Sequence, residues 1–129
     1  MTIAQLSPAV SAAIAHCEAW SNHDWDTARR MLAEDVKVTA ITTRPIMPET
    51  NLVGADAYMD GLRRFAGAVV PGSLQVQASV GDERNALVMV TVEAQFGPGA
   101  AVPLTGARLY LFDNDGKITV EQVVFFVGD

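Results

Sequence analysis

Few residues in this chain of 129 combine a reactive type with a telling spacing. His16 and Trp20 stand four apart within an apolar helical pattern of Val10, Ala13, Ile14, Cys17 and Trp20, so both can look to one side of a helix. Histidine titrates near neutrality and suits a general acid or base. The plainer alternative is a half-exposed helix histidine at the edge of a stripe centred on Cys17. Arg108 alternates with Tyr110 and Phe112 in a strand pattern. An arginine among aromatics needs a partner, because burying a lone charge is very costly. Folding the chain about Asn114 and Asp115 sets Arg108 opposite or nearly opposite Glu121, and cross-strand partners meet at about 5 Å. Inside a cavity, Arg108 would stabilise a developing oxyanion, Glu121 would orient it and His16 would move the proton. On an outer face the same two residues would make a surface ion pair worth about 0–1 kcal/mol. Trp20, Tyr58, Tyr110 and Phe125 are the expected pocket walls, although the spacing of Trp20 and Tyr58 is more often that of plain core.

Other chemistries are excluded. Cys17 is the sole cysteine, so neither an internal disulfide nor a cysteine metal cluster can form. It sits mid-stripe, about 100° around the helix from His16, which argues against a Cys-His nucleophilic pair. His16 and His23 share no helix face and have no third ligand in view, so no metal is expected. A net charge of −6 argues against nucleic acid, which needs a basic face. The first residues lack the positive charge of a secretory signal, and no apolar run approaches the ~20 residues of a membrane span. A cytoplasmic globular protein is expected, with no membrane contact and no cofactor. Residues 1–129 are long enough for one domain with a real core.

The elements that must position these residues follow from their periods. Ser7-Pro8 starts a first helix that ends near Asn22-His23, and Asp24 caps a second with Trp25, Ala28, Met31 and Leu32 as its apolar side. Residues 36–43 alternate as a strand, and residues 44–51, with Pro45 and Pro48, read as a loop that could cover a pocket mouth. Ala55, Tyr58, Met59, Leu62, Phe65, Ala66 and Val69 give a third helix, ended by Pro71-Gly72. Four strands then run over residues 74–80, 86–96, 102–112 and 117–127, with a hairpin signal at Asp113-Asn114-Asp115-Gly116. Helices first and a meander after them define an α+β fold, with helices on one face of a bent, mostly antiparallel sheet.

The chain resembles the nuclear transport factor 2-like superfamily, which includes ketosteroid isomerases, limonene epoxide hydrolases, scytalone dehydratases and SnoaL-like polyketide cyclases. Two segments carry the resemblance: Ala19-Trp20-Ser21-Asn22-His23-Asp24-Trp25-Asp26 running into Leu32-Ala33-Glu34-Asp35-Val36, and Phe112-Asp113-Asn114-Asp115-Gly116-Lys117-Ile118. It implies a cone in which the sheet wraps around three helices and an apolar pocket opens at one end. It does not transfer the best-known reactions. Where ketosteroid isomerases place a helix tyrosine, an aspartate base and a protonated aspartate, this chain has His16, Ala40 and Arg108. The last aspartate of limonene epoxide hydrolases falls near Val123. Without a carboxylate at residue 40 the isomerase proton shuttle cannot run.

The expected function is binding of a small apolar or aromatic molecule, with cofactor-independent isomerase, cyclase, dehydratase or hydrolase chemistry as the enzymatic form. The alternative is a non-catalytic binding or dimerisation module whose cone is filled by its own side chains, among them Met31, Met47, Met59, Met89, Leu62 and Phe65. One strand poses a question of facing. Val88, Val90, Val92, Ala94 and Phe96 lie on one side, and Thr91, Glu93 and Gln95 on the other. If the dry side is convex it needs a cover, and a second copy is the simplest. If it is concave, Glu93 faces solvent. A homodimer through the convex sheet face is expected.

Overall fold

The computed structural model describes residues 7–43 and 49–126. Helix α1 (Pro8–Ser21) begins where Ser7 accepts a hydrogen bond from the Val10 N–H at 3.1 Å, with Pro8 in the first turn where no N–H is missed. It buries Val10, Ala13, Cys17 and Trp20, and also His16. His23 then adopts φ 62°, a left-handed conformation that turns the chain toward α2 (Trp25–Arg30). Its Nε2 lies 2.8 Å from the Ala66 carbonyl and 2.9 Å from that of Val69, which ties this turn to the end of α3 (Ala55–Ala66).

Leu32 leaves the helical pattern that claimed it. It opens β1 (Leu32–Thr42) and pairs with Ile118, so tertiary strand pairing overrides the local period. The following loop is also shorter than its prolines suggest. Thr50–Val53 forms β2, which pairs antiparallel with residues 37–40 of β1. Residues 44–48, the rest of the expected mouth cover, lie outside the described residues.

Strands β3 (Gln75–Gly81), β4 (Asn85–Ala94), β5 (Val102–Phe112) and β6 (Ile118–Phe126) follow α3. The six-stranded sheet has the order β2-β1-β6-β5-β4-β3, antiparallel throughout except where β1 runs parallel to β6. Register shifts interrupt three of the pairings and bend the sheet. Pro103 sits in the second position of β5, close to the start to which proline is confined. The result is the expected α+β cone: a curved, unclosed sheet with its helices on the concave side.

The facing of β4 is settled by α1. Ala86, Val88, Val90, Val92 and Ala94 are buried on the side that receives the helices, while Glu93 is only half-buried on the other. The dry face is therefore concave, and the branch of the dimer argument that needed it convex is overturned. Strand β3 differs as well. All seven of its residues are exposed, so it is an edge strand with no dry side.

Candidate functional site

The site grows out of the β5–β6 hairpin. Asp113 fixes the turn: its Oδ1 accepts hydrogen bonds from the N–H groups of Asp115 and Lys117, both at 2.9 Å, and Gly116 supplies a φ of 76°. A bulge then follows, since Leu111 pairs with Val120 but Phe112 with Ile118. Loop and bulge together set Arg108 opposite Val123 and Tyr110 opposite Glu121, two residues from the register expected by simple folding about Asn114-Asp115. Because strand side chains alternate with period two, that shift preserves the face. Arg108 and Glu121 become diagonal neighbours on the concave side, with Arg108 Nε 3.4 Å from Glu121 Oε2. The contact is an ion pair without hydrogen-bond geometry, and both residues are 3 % exposed.

Two other elements complete the pair. From α3, the Tyr58 hydroxyl donates a hydrogen bond to Glu121 Oε1. From α1, Trp20 lies under the guanidinium, whose central carbon is 4.5 Å from the indole centroid. Phe125 and Phe65 stand at 5.6 and 5.8 Å. Three aromatic faces thus hold the cation where water cannot. Burial pushes the Glu121 carboxyl above its usual range, and the attraction of Arg108 and the Tyr58 hydrogen bond only partly offset this. Burial also drives the Tyr58 hydroxyl far up, reinforced by the Glu121 charge, so it remains a donor.

Arg108, Glu121 and Tyr58, with Thr42 and Thr50 of β1 and β2, are the polar residues lining a mainly apolar cavity of about 170 Å3 between α3, β1, β2 and the concave face of β5 and β6. Phe125 lines it too, as expected. Leu62 and Phe65 form its helix side, and Val38, Ala40 and Val123 its sheet side. Ala40 and Val123, where the resemblance would place other members' aspartates, also line the cavity and bring only hydrocarbon. The cone is not self-filled. Met89, named among the filling residues, lies in the alternate set of β4 that turns away from the helices, and Met47 lies outside the described residues.

His16, Trp20 and Tyr110 are brought together but not to the cavity. His16 is fully buried, not half-exposed. The Tyr110 hydroxyl sits between His16 Nδ1 at 3.3 Å and Cys17 Sγ at 3.4 Å. Desolvation, helped by the nearby Arg108 charge, lowers the imidazole to about 3, so it is neutral at physiological pH. Burial pushes the Cys17 thiol up to about 11. Behind the charged pair is therefore a sealed cluster of neutral polar groups. No group of three metal-ligating side chains clusters among the described residues, and no helix among them is long and apolar enough to cross a membrane.

Sequence reasoning missed Leu52, Gly61 and Thr50 as lining residues. The available signal was the β-prone stretch Thr50-Asn51-Leu52-Val53 after the prolines. Phe65 was legible as apolar, though its place beside Arg108 was not. That Tyr58 would donate to Glu121 had no local signal, since the two are 63 positions apart.

Fold and cavity are those of a nuclear transport factor 2-like cone. The chain belongs to the family of SnoaL-like domains, whose model matches residues 13–121. Among solved structures, it is similar to a Kribbella flavida protein described as of known function, at 27 % identity and TM-score 0.74 over 92 % of this chain and 86 % of that one. It also resembles a Mycobacterium tuberculosis protein solved with estradiol-17beta-hemisuccinate, at 17 % identity and TM-score 0.74 over 92 % and 93 % of the two chains. A steroid delta-isomerase from Pseudomonas aeruginosa matches at 16 % identity and TM-score 0.66, over 96 % and 83 %. The last two likenesses speak for the fold alone. No curated protein matches at a significant level.

Proposed function

We propose that this chain binds a small apolar or aromatic molecule in the cavity and acts on it by acid–base chemistry without a cofactor, as an isomerase, cyclase, dehydratase or hydrolase. One observation carries the reading: a carboxyl group with a raised pKa and a guanidinium stand side by side on the wall of a mainly apolar cavity. Perturbed titratable groups in a cleft are where such chemistry is found. Glu121 is the proton carrier, because a carboxyl moved toward neutrality exchanges protons with least cost there. Arg108 faces the same space and stabilises negative charge as it develops on a ligand oxygen. Tyr58 fixes the Glu121 carboxyl by its hydrogen bond. His16, neutral and away from the cavity, is a positioning residue that acts through Tyr110 and the packing behind Arg108.

The experiment is proton exchange. The α-hydrogens of a small ketone such as acetophenone are followed by NMR in D2O with and without protein. The protein is expected to accelerate their replacement by deuterium, and Glu121→Gln to lower that acceleration about 100-fold or more while keeping the far-UV spectrum. Equal rates for the two proteins would remove Glu121 from the mechanism. A second reading, a binding protein without turnover, is favoured by the engagement of Glu121 with both Arg108 and Tyr58. It predicts ligand binding with no acceleration.

We also propose that two copies associate through the convex sheet face. Val80, Leu87 and Leu109 stand in register across β3, β4 and β5, and Met89, Ala107, Val124 and Ile41 form the next row. Val80 is 65 % and Leu87 46 % exposed, which is unfavourable for a bare surface. Sedimentation equilibrium is expected to give twice 13.8 kDa, and Leu87→Glu to return the single-chain mass. A wild-type monomer at micromolar concentration would refute the association.

A further inference from the structure

The size and charge balance of the cavity restrict its occupant more narrowly than the fold does. The space amounts to about 170 Å3. A dry protein cavity of about 150 Å3 takes up a molecule the size of benzene, so there is room for one six-membered ring and a small substituent. The limit has a structural cause. Gly61 of α3 and Leu52 of β2 close one side together: a Cβ at residue 61 would stand 2.8 Å from Leu52 Cδ1. With no side chain at residue 61, the Leu52 side chain seats directly on the helix, and this contact narrows the cavity.

Charge limits the occupant further. Among the described lining residues only Arg108 and Glu121 carry charge, and they are paired. An anion or cation entering would meet no net opposite charge and would leave water without compensation. A neutral ligand with one polar atom faces no such cost. Its carbonyl oxygen can accept from Arg108, or its hydroxyl can donate to Glu121, while the ring lies against Phe65, Leu62 and Val123.

We infer that the pocket is built for an uncharged, single-ring compound bearing one carbonyl or hydroxyl oxygen directed at the Arg108–Glu121 pair. This rests on the proposed ligand pocket and narrows it to a chemical class.

Backbone amide NMR titration tests it with four probes: acetophenone, benzoate, 2-acetylnaphthalene and a four-ring steroid ketone. Acetophenone is expected to give saturable shifts at Gly61, Leu62, Phe65 and Val123. Benzoate should bind about tenfold more weakly or worse, and the steroid ketone should not saturate. Leu52→Ala, which removes the side chain seated on Gly61, should raise affinity for 2-acetylnaphthalene relative to acetophenone by about tenfold. Tighter binding of benzoate or of the steroid than of acetophenone would overturn the inference while leaving a ligand pocket in place. Shifts at the cavity with none of the four would overturn both. A folded Leu52→Ala protein with unchanged preference would overturn the assigned cause of the size limit.

Discussion

Two buried polar clusters lie back to back in this protein, and they handle burial in opposite ways. Arg108, Glu121 and Tyr58 keep formal charge out of water by pairing, and they face the cavity. His16, Tyr110 and Cys17 carry no charge at neutral pH and are sealed behind it. Desolvation is the largest influence on all six groups, yet only in the front cluster does a partner charge hold an ion in place. The lesson is that burial alone does not make a reactive group. A histidine with no acidic partner is simply discharged, whereas a carboxyl beside a guanidinium is kept poised between its two states.

The contrast breaks most sharply on pH. His16 is lowered from 6.5 to about 3, so the folded protein resists a proton that the unfolded chain accepts. Its contribution to stability is complete above pH 6.5 and is lost as pH falls toward 3, by up to about 5 kcal/mol. The ring is packed by Tyr110 from β5 and Tyr58 from α3, with the Arg108 charge and the Ala28 backbone of α2 acting on it. Urea unfolding at a series of pH values should show this slope, and His16→Gln should flatten it. Glu121 runs the other way. Its pKa is raised on folding, so its contribution is full below pH 4.5 and declines as pH rises through the folded value.

Arg108→Met should cost about 3–5 kcal/mol, because it strands a carboxylate in the core. Pairing Arg108→Met with Glu121→Leu should recover most of that loss in denaturant midpoint. If the double variant is as unstable as the sum of the singles, the two residues are not an energetic pair. A smaller change is expected for Tyr58→Phe, about 2 kcal/mol. It should also move the Glu121 carboxyl further up, since the Tyr58 hydrogen bond favours the ionised form; carboxyl-carbon NMR reads this directly. The smallest effect belongs to the rear cluster. Cys17→Ala should cost about 1 kcal/mol, and the native thiol, buried and held up at about 11, should resist iodoacetamide at neutral pH until the protein unfolds.

Much of the architecture was readable in the chain because its signals are local. Ser7-Pro8 capped α1 as expected, the stripe of Tyr58, Met59 and Ala66 became the buried side of α3, and Val102–Phe112 is a strand with the bounds its alternation implied. Leu32 and residues 50–51 were misread because their state depends on pairing with strands beyond their local pattern. The Arg108–Glu121 pair was legible since period-two alternation survives a shift of two residues. The place of His16 was not, because a stripe edge on a helix says nothing of what packs over it.

Sequence alone determined the three helices, five of the six strands and which residue types share a face, through caps, periods and turn residues that act within a few positions. Tertiary structure decided what those faces meet: that the dry side of β4 turns inward, that Tyr58 reaches across the cone to Glu121, and that His16 stands behind the cavity and not beside it. The reason is physical. Burial and charge partnership are set by groups dozens of residues away, and only their assembly fixes how much water each ionisable group loses.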